Sequence, residues 1–217
     1  MAAERRAAKG ELRVFLNVEN LQPQFAAYMG TPTRARGYPP YAGQHALIIE
    51  VAPGLMIERV MDLALKADPD LEPGILFVER QFGILEIHGS DKDKLLAAGR
   101  AVLMGMGLSE RDQLAPKLLF TDVIENIADQ HAVIINRNRQ ASMVMPGETL
   151  LVVEMVPALY AAIAANEAEK VAPGLTLVDV QMIGAAGRLY MSGTTADVEK
   201  GLAEIERVLA GIEGRRT

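Results

Sequence analysis

The chain has 217 residues, half of them hydrophobic, with a net charge of −6 and no cysteine. That length accommodates one large domain or two of about 100 residues each. The acidic balance excludes a global basic field for nucleic acid or an anionic membrane, and the absence of cysteine excludes disulfides, thiolate nucleophiles and cysteine-bound metal.

Residues 1–10 carry two arginines and a lysine but no apolar core, so no secretory signal is expected there. No apolar run reaches the roughly 18–20 residues of a membrane-spanning helix, and a soluble cytoplasmic protein is expected. Residues 12–19 (LRVFLNVE) mix β-branched and aromatic side chains and read as a strand. Residues 20–43, rich in proline and glycine, hold three of the five tyrosines together with Arg34 and Arg36. They read as one long loop, either a solvated insertion or an interface segment. Residues 44–51 are a near-continuous apolar strand. Pro53 then suits the first turn of a helix, in which Ile57, Val60, Met61 and Ala64 share a face and Asp62 precedes Lys66 by one turn. Residues 67–74 end that helix, and strands are expected over 75–78 and 84–88. Ser90 is expected to cap the next helix, with Asp93 in its first turn.

From here the chain repeats itself. Residues 151–170 align without a gap on residues 47–66: Glu154 on Glu50, Pro157 on Pro53, Lys170 on Lys66, all at one offset, since 154 − 50 = 104. The offset returns where Gly193-Thr194-x-x-Asp197 matches Gly89-Ser90-x-x-Asp93. A fixed internal period sets the architecture, and two α+β units are expected, residues 11–109 and 114–213. In the second unit, residues 118–126 and 130–136 read as strands, 157–171 as an alanine-rich helix suited to close packing between units, 175–181 and 189–193 as strands, and the end as an amphipathic helix. Gln130-His131-Ala132 also repeats Gln44-His45-Ala46 at an offset of 86, a match that dies within about six residues and reads as chance or as two similar strands in different roles.

Little in the chain suggests catalysis. His45, His88 and His131 all fall on expected strands, and none has a partner at metal-ligand spacing. Gly184-Ala185-Ala186-Gly187 lacks the following Lys-Ser/Thr of a phosphate loop and leads into a strand, so a helix dipole cannot serve it. Arg137, Asn138 and Arg139 read as a solvated basic spot. No catalytic residue, metal set or cofactor motif emerges.

One pattern does carry a resemblance. An apolar strand ending in Glu, a Pro-led amphipathic helix with Ala-x-Lys, then strand, loop, strand and Gly-Ser/Thr-x-x-Asp helix, twice over, resembles the bacterial microcompartment shell domain. Residues 20–31 (NLQPQFAAYMGT), 78–83 (VERQFG) and 131–137 (HAVIINR) resemble the permuted, carboxysomal tandem members of that family. The resemblance implies two circularly permuted, ferredoxin-like α+β shell domains in a pseudo-hexameric trimer, whose trimers can stack in pairs and tile with hexameric and pentameric shell proteins. It implies a gated central pore for small metabolites, with Glu79 and Arg80 at the gate, Gln81, Phe82 and Gly83 beside them, and Gly184, Ala185, Ala186 and Gly187 as the second unit's pore-side loop. Lys66 and Lys170 would lie at tile edges. No enzyme, cofactor, nucleic acid or membrane is implied, and the place expected is a microcompartment shell in the cytoplasm. Because Met182 stands where a lysine often precedes the pore glycine, the anion selectivity of single-domain pores is not carried over. Two other classes fit the residues less fully: a trimeric small-molecule-binding regulator on a duplicated ferredoxin-like unit, and an enzyme at the inter-unit cleft.

Overall fold

The computed structural model describes residues 10–31 and 37–216; Arg34 and Arg36 lie outside them. Each unit is a four-stranded antiparallel sheet with helices. The first runs β1 (Glu11–Val18), α1 (Pro23–Met29), β2 (His45–Ala52), α2 (Met56–Ala67), β3 (Glu72–Glu79), β4 (Phe82–Gly89) and α3 (Lys92–Met106). The second repeats it as β5 (Lys117–Ile124), α4 (Asp129–Asn138), β6 (Thr149–Val156), α5 (Ala161–Val171), β7 (Thr176–Gln181), β8 (Gly187–Gly193) and α6 (Thr195–Ala210). Strand order is β1-β2-β4-β3 in one sheet and β5-β6-β8-β7 in the other.

The duplication therefore spans the whole unit, in two registers. From β2 and β6 onward the spacing is the 104 of the sequence. Over the first strand and helix it is 106: the bulge between Leu12 and Val14 recurs between Leu118 and Phe120, and 118 − 12 = 106. Asn20 and Asn126, two of the three non-glycine residues with positive φ among the described residues, occupy the same turn. Gln130-His131-Ala132 is thus the counterpart of Gln24-Phe25-Ala26, and its likeness to Gln44-His45-Ala46 is chance: one copy is helix, the other leads into a strand.

Several local expectations are corrected here. Residues 20–43 are not one loop, because 23–29 form a helix that buries Phe25, Tyr28 and Met29. Residues 130–136 are α4 rather than a strand, held on the sheet by Ala132 over a small core of Ile127, Val144, Leu150 and Val178. Pro53 and Pro157 follow cis peptide bonds and precede helices that start at Met56 and Ala161. The cap of α3 is Asp91, not Ser90: its carboxylate accepts the N–H groups of Asp93 and Lys94. The counterpart of Ser90, Thr194, does cap α6, accepting from the Asp197 N–H.

The first sheet is apolar on both faces, as a strand buried on two sides must be. Leu12, Phe15, Ile49 and Val51 pack under α2 and α3. Val14, Leu16, Val18 and Ile48 turn the other way and share a core with α1 and the second unit. Between them sits α5, whose Ala161, Ala162, Ala164 and Ala165 are all buried. Its first turn and a half, residues 161–165, is apolar all round, as in a buried helix, and the small side chains let both units approach it. By contrast α2 buries only Ile57, Val60 and Ala64.

α1 straps the units together. Its first N–H groups have no cap from its own side chains; the second unit supplies one. Asn166 accepts from the N–H of Gln22 (2.9 Å), and the Glu169 carboxylate accepts from Gln24 (2.8 Å) and Phe25 (3.0 Å). The Gln24 carboxamide completes the edge of β7, donating to the Leu175 carbonyl and accepting from the Leu177 N–H. The Tyr28 hydroxyl donates to the Val180 carbonyl.

Candidate functional site

Glu79 ends β3 and pairs with Phe82 at the start of β4, leaving Arg80 and Gln81 as a two-residue hairpin turn. Arg80 has φ of 50°, in the left-handed region where a side chain is disfavoured. Its side chain is 91% exposed, with Nε 3.6 Å from the Glu79 carboxylate. A surface pair of this kind contributes about 0–1 kcal/mol, so it can rearrange at little cost. The second unit's loop runs through Gly184, φ 133°, with Ala185 exposed. The two loops meet: a cleft of about 400 Å³ is lined by Glu79, Arg80, Gln81, Phe82, Gly184 and Ala185.

Gly83 and Gly187, at the same place in the two units, play another part. A Cβ on Gly83 would lie 2.0 Å from the Gly54 carbonyl oxygen, and one on Gly187 2.3 Å from that of Ala158. Both are buried. They let each loop's return strand press against the segment that leads into α2 or α5, and so fix where the loop stands; Ala186, beside Gly187, is half-buried.

Phe82 is fixed from beneath by a residue that sequence spacing did not single out. The Arg13 guanidinium lies 3.8 Å over the Phe82 ring, within cation–π range. The same guanidinium donates through Nε to Glu50 at 2.7 Å. Glu50 is buried; desolvation pushes its carboxyl above the usual glutamate range, against the opposing pull of Arg13. The duplicate, Glu154, pairs with Arg188 at 3.0 Å beside the other loop. In both units a glutamate on the second strand thus anchors an arginine near the loop, taken from β1 in one and β8 in the other. The repeat of Glu50 and Glu154 was the available signal; the arginines have no common spacing.

Tyr160 closes the joint between units, its hydroxyl donating to the Leu114 carbonyl and lying 3.1 Å from the Gln113 carboxamide oxygen. Burial first, then the Glu50 charge, pushes that phenol upward.

The remaining expected residues lie elsewhere. Lys66 is exposed and bonded to Asp62 at 2.7 Å, the pair expected from the helix spacing. Lys170 reaches Glu167 and the Glu19 carbonyl, at the joint between units. His88 is buried on β4 with its Nδ1 2.9 Å from Glu86. His131 is on α4, and Arg139 is half-buried rather than solvated, donating to the Asn136 carbonyl.

A duplicated, permuted four-strand module that sets both copies of its hairpin loop on one rim defines a tandem-domain shell protein of the bacterial microcompartment class. Residues 12–112 match the family profile described as the CsoS1D N-terminal domain. The carboxysome shell protein CcmP of Synechococcus elongatus is 48% identical over 160 residues, 74% of each chain. The carboxysome shell protein CsoS1D of Hydrogenovibrio crunogenus is 40% identical over 161 residues, 74% of this chain and 77% of that one. Among solved structures, the double-ringed trimeric shell protein MSM0271 from the RMM microcompartment is 62% identical, with a TM-score of 0.92 over 96% of this chain and all of that one. The fused permuted hexameric shell protein MSM0275 from the same compartment is 47% identical, with a TM-score of 0.89, covering 94% of this chain and 99% of that one. The chain belongs to the carboxysome shell protein family of CcmP and CsoS1D, and its role is structural, as a part of a microcompartment shell.

Proposed function

We propose that three copies of this chain, with units 11–109 and 114–213, close into a flat pseudo-hexagonal tile whose central pore passes small metabolites. The observation that carries this is the shared cleft: loops 79–82 and 184–185 come from different units yet stand on one rim. Three such rims around an axis alternate the two loops. Glu79 and Arg80 form the gate. Three like charges about an axis repel, and Glu–Arg pairing within or between copies relieves that repulsion in more than one way. A few kcal/mol of differential binding then shifts the population between pore states. The trimeric, double-ringed character of MSM0271 supports both the trimer and its stacking in pairs. Lys66 and Lys170 meet neighbouring hexameric and pentameric tiles at the edge.

The test is the variant Glu79→Ala with Arg80→Ala, imaged by cryo-electron microscopy. An intact trimer locked in one pore state is expected. Loss of the trimer, or a hairpin pointing away from the threefold axis, contradicts the gate. For the edge, Lys66→Asp or Lys170→Asp should abolish two-dimensional sheets and leave trimers in solution; unchanged sheets contradict that assignment.

A further inference from the structure

Each half of the seam between the two units recurs on the same chain, exposed. In the seam, Leu159 and Ile163 of the second unit share a core with Val14 and Leu16 on the outer face of β1, and Leu16 and Ile163 line one cleft. At the 104 spacing the counterparts of Leu159, Ile163 and Asn166 are Leu55, Arg59 and Asp62, at and on α2. At the 106 spacing the counterparts of Val14, Leu16 and Gln22 are Phe120, Asp122 and Ala128, on and after β5. What the seam buries, the copies expose: Leu159 is 0% exposed and Leu55 75%, Val14 0% and Phe120 54%. Arg59 and Asp122 are also exposed, and among the described residues neither enters an ion pair; Asp122 only accepts the N–H of Val123.

One substitution pattern gives the partner away. The apolar pair Leu16 and Ile163 is replaced, in the counterpart seam, by Asp122 and Arg59. Both positions changed, and to opposite charges. Asp62 likewise stands where Asn166 accepts the Gln22 N–H, placed to accept the Ala128 N–H of another copy. We infer that α2 of one copy docks on the outer face of β5 and α4 of the next, head to tail, with Arg59 against the partner's Asp122. This rests on the ring reading and says how the ring is built: the intrachain seam repeats between chains. A heterologous contact closes into a ring when its rotation closes, and here the internal seam supplies the step. The apolar contacts at Leu55 and Phe120 give the cohesion, while the ion pair sets register. It disfavours docking of α2 on a second α2, or of one β5 face on another, by opposing like charges.

The experiment uses the full chain, with Arg59→Asp, Asp122→Arg and the double variant, followed by light-scattering mass over a dilution series. Both side chains are exposed in the protomer, so each variant should fold with native circular dichroism. Each single variant should dissociate at least tenfold more readily than the native chain, and the double variant should recover. Single variants as trimeric as the native chain, or a double variant no better than either single, overturn the seam pairing while leaving the trimer standing. A native chain whose mass is not a multiple of three protomers overturns the ring itself and the pairing with it.

Discussion

Glu169, on a helix of the second unit, caps the backbone of Phe25, on a helix of the first: its carboxylate accepts the Phe25 N–H at 3.0 Å and that of Gln24 at 2.8 Å. A seven-residue helix is too short to hold itself in water. This one persists because its orphan N–H groups and its apolar face are both satisfied by the other unit. The two units are therefore one folding body along this strap. Glu169→Gln should destabilise the chain by roughly 1–3 kcal/mol, the cost of leaving a buried donor poorly paired. Thermal unfolding checks it against Glu206→Gln on the exposed surface, which should leave the midpoint unchanged.

Arg13 and Glu50 form a half-buried pair beneath Phe82. Arg13→Met strands a buried carboxylate, and removing one partner of such a pair costs about 3–5 kcal/mol. Arg13→Met with Glu50→Gln should recover most of the loss. Chemical denaturation of the four species gives the coupling energy; additivity of the two single effects would remove this pair as the anchor of the loop.

Gly83→Ala and Gly187→Ala each push a methyl into a carbonyl of the facing segment, an overpacking that costs about 1–3 kcal/mol. Gly184→Ala meets nothing within 4 Å but must adopt φ 133°, so its loss comes from backbone strain in the loop. Denaturant midpoints should fall for all three. Hydrogen exchange should separate them, with Gly184→Ala loosening only the 182–186 loop.

Glu86, fully buried beside His88, has its carboxyl pushed above the 4.5 of an exposed glutamate by desolvation, partly offset by His88. A folded pKa above the unfolded one means the protonated acid favours folding. That contribution is complete below about pH 4.5 and is lost as pH rises through the folded value. Glu86→Gln has no proton to lose. Its melting temperature relative to the native chain should therefore rise from pH 4.5 toward neutrality; a difference that stays flat or falls contradicts this account.

Much of the fold was legible in the residues, and the failures have physical causes. The gapless match of 151–170 to 47–66 located both central strands and their helices, because buried strand and helix faces keep their period through divergence. The first strand of each unit was read, at 12–19 and 118–126, but the helix after it was not, since the duplication there runs at 106 rather than 104 and those helices depend on tertiary partners. The tripeptide Gln-His-Ala makes the point sharply: in one place it leads into a strand and in the other it opens a helix, so local sequence did not decide and packing did. At the site, the loops were readable as the segments between the expected strands 75–78 and 84–88, and 175–181 and 189–193. Arg13 was not, because nothing in its neighbourhood of the chain shows that Phe82 and Glu50 fold over it.

The proposed gate requires that the Glu79-Arg80-Gln81 turn face a threefold axis. The chain has no cysteine, so Gln81→Cys carries one spin label per protomer without background, as does Glu206→Cys on α6. Pulsed dipolar spectroscopy on the assembled protein should give a single short distance between labels at 81 and a longer one between labels at 206. Labels at 81 that lie farther apart than those at 206, or that show no coupling between protomers, would place the turn away from the axis.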